Sequence, residues 1–281
     1  MSREAYVNGR FVPLAAAQVS VEDRGFQFAD AVYEVWGVRD GRLMDEAGHY
    51  ARLWRSLREL QIAAPMSEAS LRVVIRETAR RNRVKNGVVY LQVSRGAARR
   101  DHGFPNPPVA PTIVVTAKNL NMASIEARAR TGVAVVTAPD IRWGRCDIKT
   151  VGLLPNVLAK QEALDGGAFD AWLVRDGMIT EGTASNAWIV DQSGKLRTAP
   201  LSENILHGVT RAALIRLAEE RQIAVEERSF DIEEAMNARE AFLSSASNAA
   251  LPVVIIDGKK IGDGQPGPVA RLLYDAYFGA A

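Results

Sequence analysis

The chain has 281 residues, 47% hydrophobic and 24% charged, enough apolar material for one large core or two ordinary ones, which excludes a disordered or fibrous protein. Its formal net charge of +2 comes from basic residues spread along the whole length, so no block reads as a nucleic-acid arm. A lone cysteine, Cys146, excludes an internal disulfide and points to a reducing compartment. The start at Met1 shows no signal segment, and no stretch approaches the roughly eighteen apolar residues of a membrane span. A soluble cytoplasmic protein is the expectation, with neither a membrane nor a nucleic acid as partner. His49, His102 and His207 lie far apart and outside any ligand spacing, so no metal site is expected.

Alternating apolar residues around Asn8-Gly9 predict a hairpin at the start. Residues 32–38, followed by a turn at Asp40-Gly41, predict a second hairpin whose alternation sets Tyr33, Val35 and Gly37 on one face. Any pocket roofed by that strand sees those three together. From about residue 46 to 60, Tyr50, Leu53, Trp54, Leu57 and Leu60 recur at helical spacing, with Arg52, Arg55 and Arg58 mainly on the other side. Ser67 and Ser70 open a second helix carrying Leu71, Val74, Ile75 and Ala79. Strands follow at 88–93 and 112–116. Between them runs a loop, 94–108, of a length that is often functional.

Strand alternation is lost between Ala117 and Arg130, which sets a boundary between two lobes. A small α/β lobe is expected over 1–120, a linker over 121–131 and a larger lobe over 132–281. In the second lobe, 133–136 predicts a strand. Segments 169–174, 178–181 and 185–190 form a meander turning at Asp176-Gly177 and at 192–195. A helix over 212–221 opened by Thr210, another over 233–237, a strand at 251–256 and a helix near 269–277 complete a mixed α/β (α+β) chain.

Lys149 closes a mixed polar segment, just before an apolar, helix-patterned run that ends at Asp165-Gly166-Gly167. The chain holds seven lysines against twenty-eight arginines, lysine seldom goes inside unpaired, and only lysine of the two can do amine chemistry. An amine nucleophile needs its pKa depressed by desolvation or by a cationic neighbour. Arg142 and Arg145 precede it and Val151, Leu153 and Leu154 follow; a surface lysine at a strand end explains the same residues. Glu181, followed by Gly182 and small hydroxyl residues, suits a pocket where backbone approaches a ligand closely, or a strand-end bulge. Gly208 to Arg211 set a glycine and a hydroxyl at a helix start, where free N–H groups and the macrodipole favour a phosphate, or where Thr210 is an ordinary N-cap. Residues 244–249 offer a second run of small side chains and N–H groups. Together these parts answer the demands of pyridoxal 5′-phosphate: an amine, a charged partner for the ring nitrogen and a phosphate cup.

The runs 140–149, 158–163, 181–186 and 208–211 resemble the class IV (fold type IV) aminotransferases, and among them the D-amino-acid aminotransferases. The resemblance extends through 22–35 and 49–53 and so covers nearly the whole chain. It implies an N-terminal α/β sandwich lobe and a C-terminal pseudo-barrel lobe carrying the lysine, in a homodimer with the cofactor between the lobes. By that resemblance Lys149 holds the cofactor covalently and moves the proton between Cα and C4′, and Glu181 pairs with the pyridinium nitrogen. Arg52, the N–H groups around Val209 and Thr210, and the Ser245-Ala246 region hold the phosphate. Ala246 stands where a hydroxyl residue is common, so its contact must come through backbone.

On the substrate side the resemblance implies Tyr33, Val35, Ser247 and an Arg100-x-His102 pair whose loop reaches in from the partner subunit and receives the α-carboxylate. Gly37 stands where better-known D-amino-acid enzymes have a larger polar side chain, which implies a roomier pocket. The implied reaction is a ping-pong transamination from a D-alanine-type donor to a 2-oxo acid. Rivals on the same fold are branched-chain L-amino-acid aminotransferases, (R)-selective amine transaminases and aminodeoxychorismate-type lyases; they have no use for Arg100 and His102 in this role. A non-catalytic binding module is disfavoured by the presence of both Lys149 and Glu181.

Overall fold

The computed structural model describes residues 3–279. The chain divides into two compact units, Met1–Leu120 with Ile148–Gly152, and Asn121–Asp147 with Leu153–Ala281.

The first unit is built on strands β1 (Glu4–Val7), β2 (Arg10–Pro13), β3 (Ala31–Arg39), β4 (Arg42–Leu43), β5 (Gly87–Ser94) and β6 (Thr112–Asn119), with helices α1 (Arg24–Phe28), α2 (Glu46–Glu59) and α3 (Glu68–Arg81). The six strands form one antiparallel sheet in the order β2-β1-β6-β5-β3-β4. Both predicted hairpins turn where expected. Asn8-Gly9 and Asp40-Gly41 have positive φ at both central residues, the conformation that lets a two-residue turn follow the twist of its strands. α2 and α3 cover one sheet face, where Tyr50, Leu53, Leu57, Leu71 and Ile75 meet Trp36, Val89, Leu91 and Val93. β3 buries Val32, Glu34, Trp36 and Val38 toward those helices. Its alternate residues Tyr33, Val35 and Gly37 therefore take the other face, as the period of two requires.

The second unit contains α4 (Met122–Thr131), β7 (Val133–Pro139), α5 (Leu154–Asp165), β8 (Asp170–Arg175), β9 (Met178–Gly182), β10 (Asn186–Val190), β11 (Leu196–Thr198), α6 (Val209–Glu220), β12 (Val225–Glu227), β13 (Phe230–Asp231), α7 (Ile232–Met236), β14 (Glu240–Ser245), β15 (Ala249–Ile256), β16 (Lys259–Lys260) and α8 (Pro268–Gly279). Its ten strands form a sheet in the order β12-β11-β10-β14-β15-β7-β8-β9-β13, with β16 on β15. The sheet curls until β9 lies beside β10, to which residues 183–185 join it directly. This is the pseudo-barrel. Trp172, Ile189, Leu243, Leu251, Val253 and Phe230 share one core within it.

Two expectations about elements change. The stretch 121–131 is helix, not open linker: Asn121 caps α4 by accepting the Ser124 N–H at 3.1 Å, and a single buried residue, Ile125, left too little apolar periodicity to read. α6 begins at Val209 with Gly208 as its N-cap, so Thr210 is a first-turn residue and not the cap. No helix among the described residues is long and apolar enough to cross a membrane.

Candidate active site

In the first unit Lys149 is bound by its backbone to the edge of β3. Its carbonyl accepts the Tyr33 N–H at 3.0 Å, Val151 N–H donates to the Ala31 carbonyl at 3.1 Å, and Thr150 bridges to Val32. Ile148 is buried in the helix-covered core, which anchors the segment from the side away from the lysine. The half-buried ammonium then stands 4.2 Å over the Tyr33 ring, a cation–π contact on the sheet face away from α2 and α3. Tyr33 packs against Tyr90 with ring centroids 5.6 Å apart. Burial, with Tyr33 adding to it, pushes the Tyr90 hydroxyl up to about 12, so Tyr90 is a neutral neighbour.

Arg52 lies on α2 against buried Glu34 of β3. Its Nε donates to Oε1 at 2.6 Å and a terminal nitrogen to Oε2 at 2.8 Å, the two-pronged geometry that suits a carboxylate. His49, one turn earlier, has Nδ1 2.8 Å from the same carboxylate. Burial alone would raise the Glu34 pKa, but the Arg52 charge and hydrogen bonds outweigh it and hold the carboxyl at about 2. The pKa of His49 is lowered, because burial outweighs Glu34. Arg52 is thus a guanidinium clamped from behind. Arg100 and His102 are exposed and pack around Phe28: the Arg100 guanidinium is 5.0 Å and the His102 ring 5.5 Å from its centroid.

In the second unit Glu181 leaves the end of β9 buried. Its carboxylate accepts the Leu206 N–H at 3.1 Å, Asn186 Nδ2 at 3.0 Å and a short hydrogen bond from Arg142. Arg142 also donates to Asp140 at 2.8 and 2.9 Å. Burial would lower its pKa, yet the two carboxylates raise it, so it remains a fixed cation. Arg145 is likewise taken up by Asp147 at 2.9 Å. The arginines read beside Lys149 in sequence therefore serve carboxylates, and Arg142 supports Glu181, a role its distance of 39 residues along the chain concealed. The hydroxyls of Thr183 and Ser185 donate to Asp170. They build the connection between β9 and β10 and do not point to a ligand.

Asn186 ties these parts to the start of α6. Its Nδ2 also donates to the Leu206 carbonyl at 3.1 Å, and its Oδ1 lies where a Cβ on Gly208 would fall, at 2.0 Å. Only glycine fits there. Strand pairing of Asn186 with Ser244 then sets the turn after β14 at the same end of the sheet. In that turn Asn248 Nδ2 donates to Ser245 Oγ at 3.2 Å and Ser247 Oγ at 3.0 Å, with Ala246 between them. Val209 and Thr210 form the first turn of α6.

The phosphate of pyridoxal 5′-phosphate fits this end of the second unit. Gly208 gives α6 no side-chain cap, so first-turn N–H groups are left to other acceptors. The Thr210 hydroxyl is buried there without a hydrogen-bond partner among the described residues. Buried polar groups are rarely left so, and an anion at a helix N-terminus answers both demands.

The family model of class IV amino-transferases matches residues 31–256. A D-alanine aminotransferase from Bacillus licheniformis is 40% identical over 264 residues, covering 94% of this chain and 92% of the relative. One from Staphylococcus haemolyticus is 38% identical over 274 residues, covering 98% and 96%. Among solved structures, a branched-chain amino acid aminotransferase from Escherichia coli superposes with a TM-score of 0.91 at 25% identity, over 99% of this chain and 94% of that one. A branched-chain enzyme from T.th., solved with pyridoxamine 5′-phosphate, gives 0.90 at 26% identity, over 100% and 94%. The chain belongs to the class IV aminotransferases, enzymes that work with pyridoxal 5′-phosphate.

Proposed function

We propose that this aminotransferase takes D-amino acids of the D-alanine type as donors and a 2-oxo acid such as pyruvate or 2-oxoglutarate as acceptor, alternating between them in a ping-pong cycle. The observation that carries the reading is the Tyr33 ring held 4.2 Å beneath the Lys149 ammonium by backbone pairing of their own segments. It supports Tyr33 as a substrate-binding neighbour of the lysine. The relatives named D-alanine aminotransferase, at 38–40% identity, support the same donor class over the branched-chain enzymes at 25–26%.

When bound, the cofactor supplies an electron sink for the carbanion formed at the substrate α-carbon. Lys149 would hold the cofactor covalently and would serve as the general base and acid that moves the substrate Cα proton. Glu181, fixed by Arg142 and Asn186, pairs with the ring nitrogen. Arg52, the N–H groups of Val209 and Thr210, and the backbone at Ser245 and Ala246 bind the phosphate. Tyr33, Val35, Ser247, Arg100 and His102 bind the substrate, the last two taking its α-carboxylate from the partner subunit of a homodimer. The enzyme works in the cytoplasm.

Borohydride reduction followed by peptide mass spectrometry tests the covalent role: the cofactor mass should sit on Lys149, and its absence there overturns the assignment. Single-turnover spectra with D-alanine, L-leucine and (R)-1-phenylethylamine test the donor. D-Alanine should discharge the cofactor; discharge by L-leucine alone would remove Arg100 and His102 from the site.

A further inference from the structure

The loop that carries Arg100 and His102 is gripped by Arg24, Phe28 and Asp30 from outside it and by Arg95 at its own base. Asp30, just before β3, receives Arg24 Nε at 2.8 Å and Arg95 Nε and a terminal nitrogen at 2.7 and 2.9 Å. Arg95 is pinned further by the carbonyls of Leu60 and Gln61 at 2.7 and 2.8 Å. Both guanidiniums continue on to the loop. Arg24 donates to the carbonyl of Asp101 at 2.6 Å and reaches that of His102 at 3.4 Å, while the Arg95 guanidinium lies 3.7 Å over the ring of Phe104. Phe28 completes the grip, with Arg24 4.8 Å, Arg100 5.0 Å and the His102 ring 5.5 Å from its centroid.

Taking one carboxylate and two guanidiniums out of water is costly, and a buried ion cluster is a poor way to gain stability alone. The Arg24 and Asp30 side chains are only 4% and 13% exposed, so the cluster calls for a use. What it does is fix backbone: two successive loop carbonyls are held while the side chains of Arg100 and His102 rest on Phe28. A ring face holds a guanidinium through its quadrupole and does not occupy its N–H donors. Arg100 is thereby oriented with its fork still open to a carboxylate.

We infer that Arg24 and Phe28, locked by Asp30 and Arg95, are positioning residues that set Arg100 and His102 for the substrate carboxylate. The inference rests on the reading of those two residues as carboxylate-binding groups. It makes the loop preorganised: donor binding then spends little on ordering it.

The test uses holoenzyme with full cofactor content. In Phe28→Leu the KM for D-alanine should rise roughly tenfold with kcat within about twofold, since the ring contact acts on binding. Amide hydrogen exchange over residues 99–104 should quicken in parallel. Phe28→Tyr should restore both, and Phe28→Leu should add nothing once Arg100→Leu is present. Arg24→Met gives an independent reading of the same loop if Phe28→Leu fails to hold cofactor. If Arg100→Leu leaves KM unchanged, the carboxylate reading fails. If Arg100→Leu raises KM while Phe28→Leu and Arg24→Met change neither KM nor loop exchange, the positioning inference is overturned.

Discussion

Arg142 and Glu181 form a buried ion pair in which the same guanidinium also holds Asp140. The arginine is a bridge between two carboxylates, and its removal leaves both short of a partner. Arg142→Met should lower stability by about 3–5 kcal/mol, the usual cost of breaking a buried pair from one side. It should also reduce kcat, because Glu181 loses its fixed direction. Thermal melts and steady-state rates check this. Arg142→Lys should recover only part of either, since a single ammonium does not reproduce the fork.

Glu34 makes stability depend on acid. Its pKa lies at about 2 in the folded chain against an ordinary 4.5, so its contribution is complete above pH 4.5 and is lost as pH falls toward 2. The difference is on the order of 3 kcal/mol. His49, whose pKa is lowered from 6.5, prefers to be neutral when folded, so protonation below that pH adds a loss of the same sign. Melting temperature should fall through the range from pH 6.5 to 2, and the portion below pH 4.5 should be shallower in Glu34→Gln.

Thr210 separates cofactor binding from folding. Its buried hydroxyl has no hydrogen-bond partner among the described residues, so Thr210→Val should leave the melting temperature of the cofactor-free enzyme unchanged or slightly higher. The same change should weaken cofactor retention roughly tenfold to a hundredfold, the worth of one hydrogen bond to a charged group. Equilibrium dialysis and melts of both forms test the pair of outcomes.

Gly208 has an ordinary helix-entry backbone, with φ of −64°, so substitution there is a matter of room. A Cβ would meet Asn186 Oδ1 at 2.0 Å and push that side chain off Glu181 and Leu206. Gly208→Ala should therefore impair cofactor retention and lower the melting temperature together, in contrast to Thr210→Val.

Much of the fold was legible because it is local. Asn8-Gly9 and Asp40-Gly41 declare their turns, and the alternation of Tyr33, Val35 and Gly37 against Glu34 and Trp36 sorted the faces of β3. β14 was not anticipated: all but the last of its six residues are buried, Glu240 and Ser244 among them, so no apolar-in, polar-out alternation marks it. α1 is five residues long, held by Asp23 accepting the N–H groups of Gly25 and Phe26 at 2.9 and 3.3 Å, and no periodicity can appear in so short a piece. Among site residues, Glu181 stood out by its neighbours in sequence. The supports did not. Arg142 reaches Glu181 across 39 positions and Arg24 reaches the loop across 77, and separations of that kind are properties of the folded chain alone.

The five residues Ile148–Gly152 belong to the first unit although the chain on both sides of them belongs to the second. During synthesis, β3 therefore waits with Tyr33 N–H and the Ala31 carbonyl unpaired until a segment more than a hundred residues later arrives. A nascent or truncated chain ending before Ile148 presents an open strand edge there, a surface prone to pair with the wrong neighbour. Lys149 is thus added last to a sheet otherwise complete, and a chain that has acquired Lys149 in its place has, by that step, also closed this edge of β3.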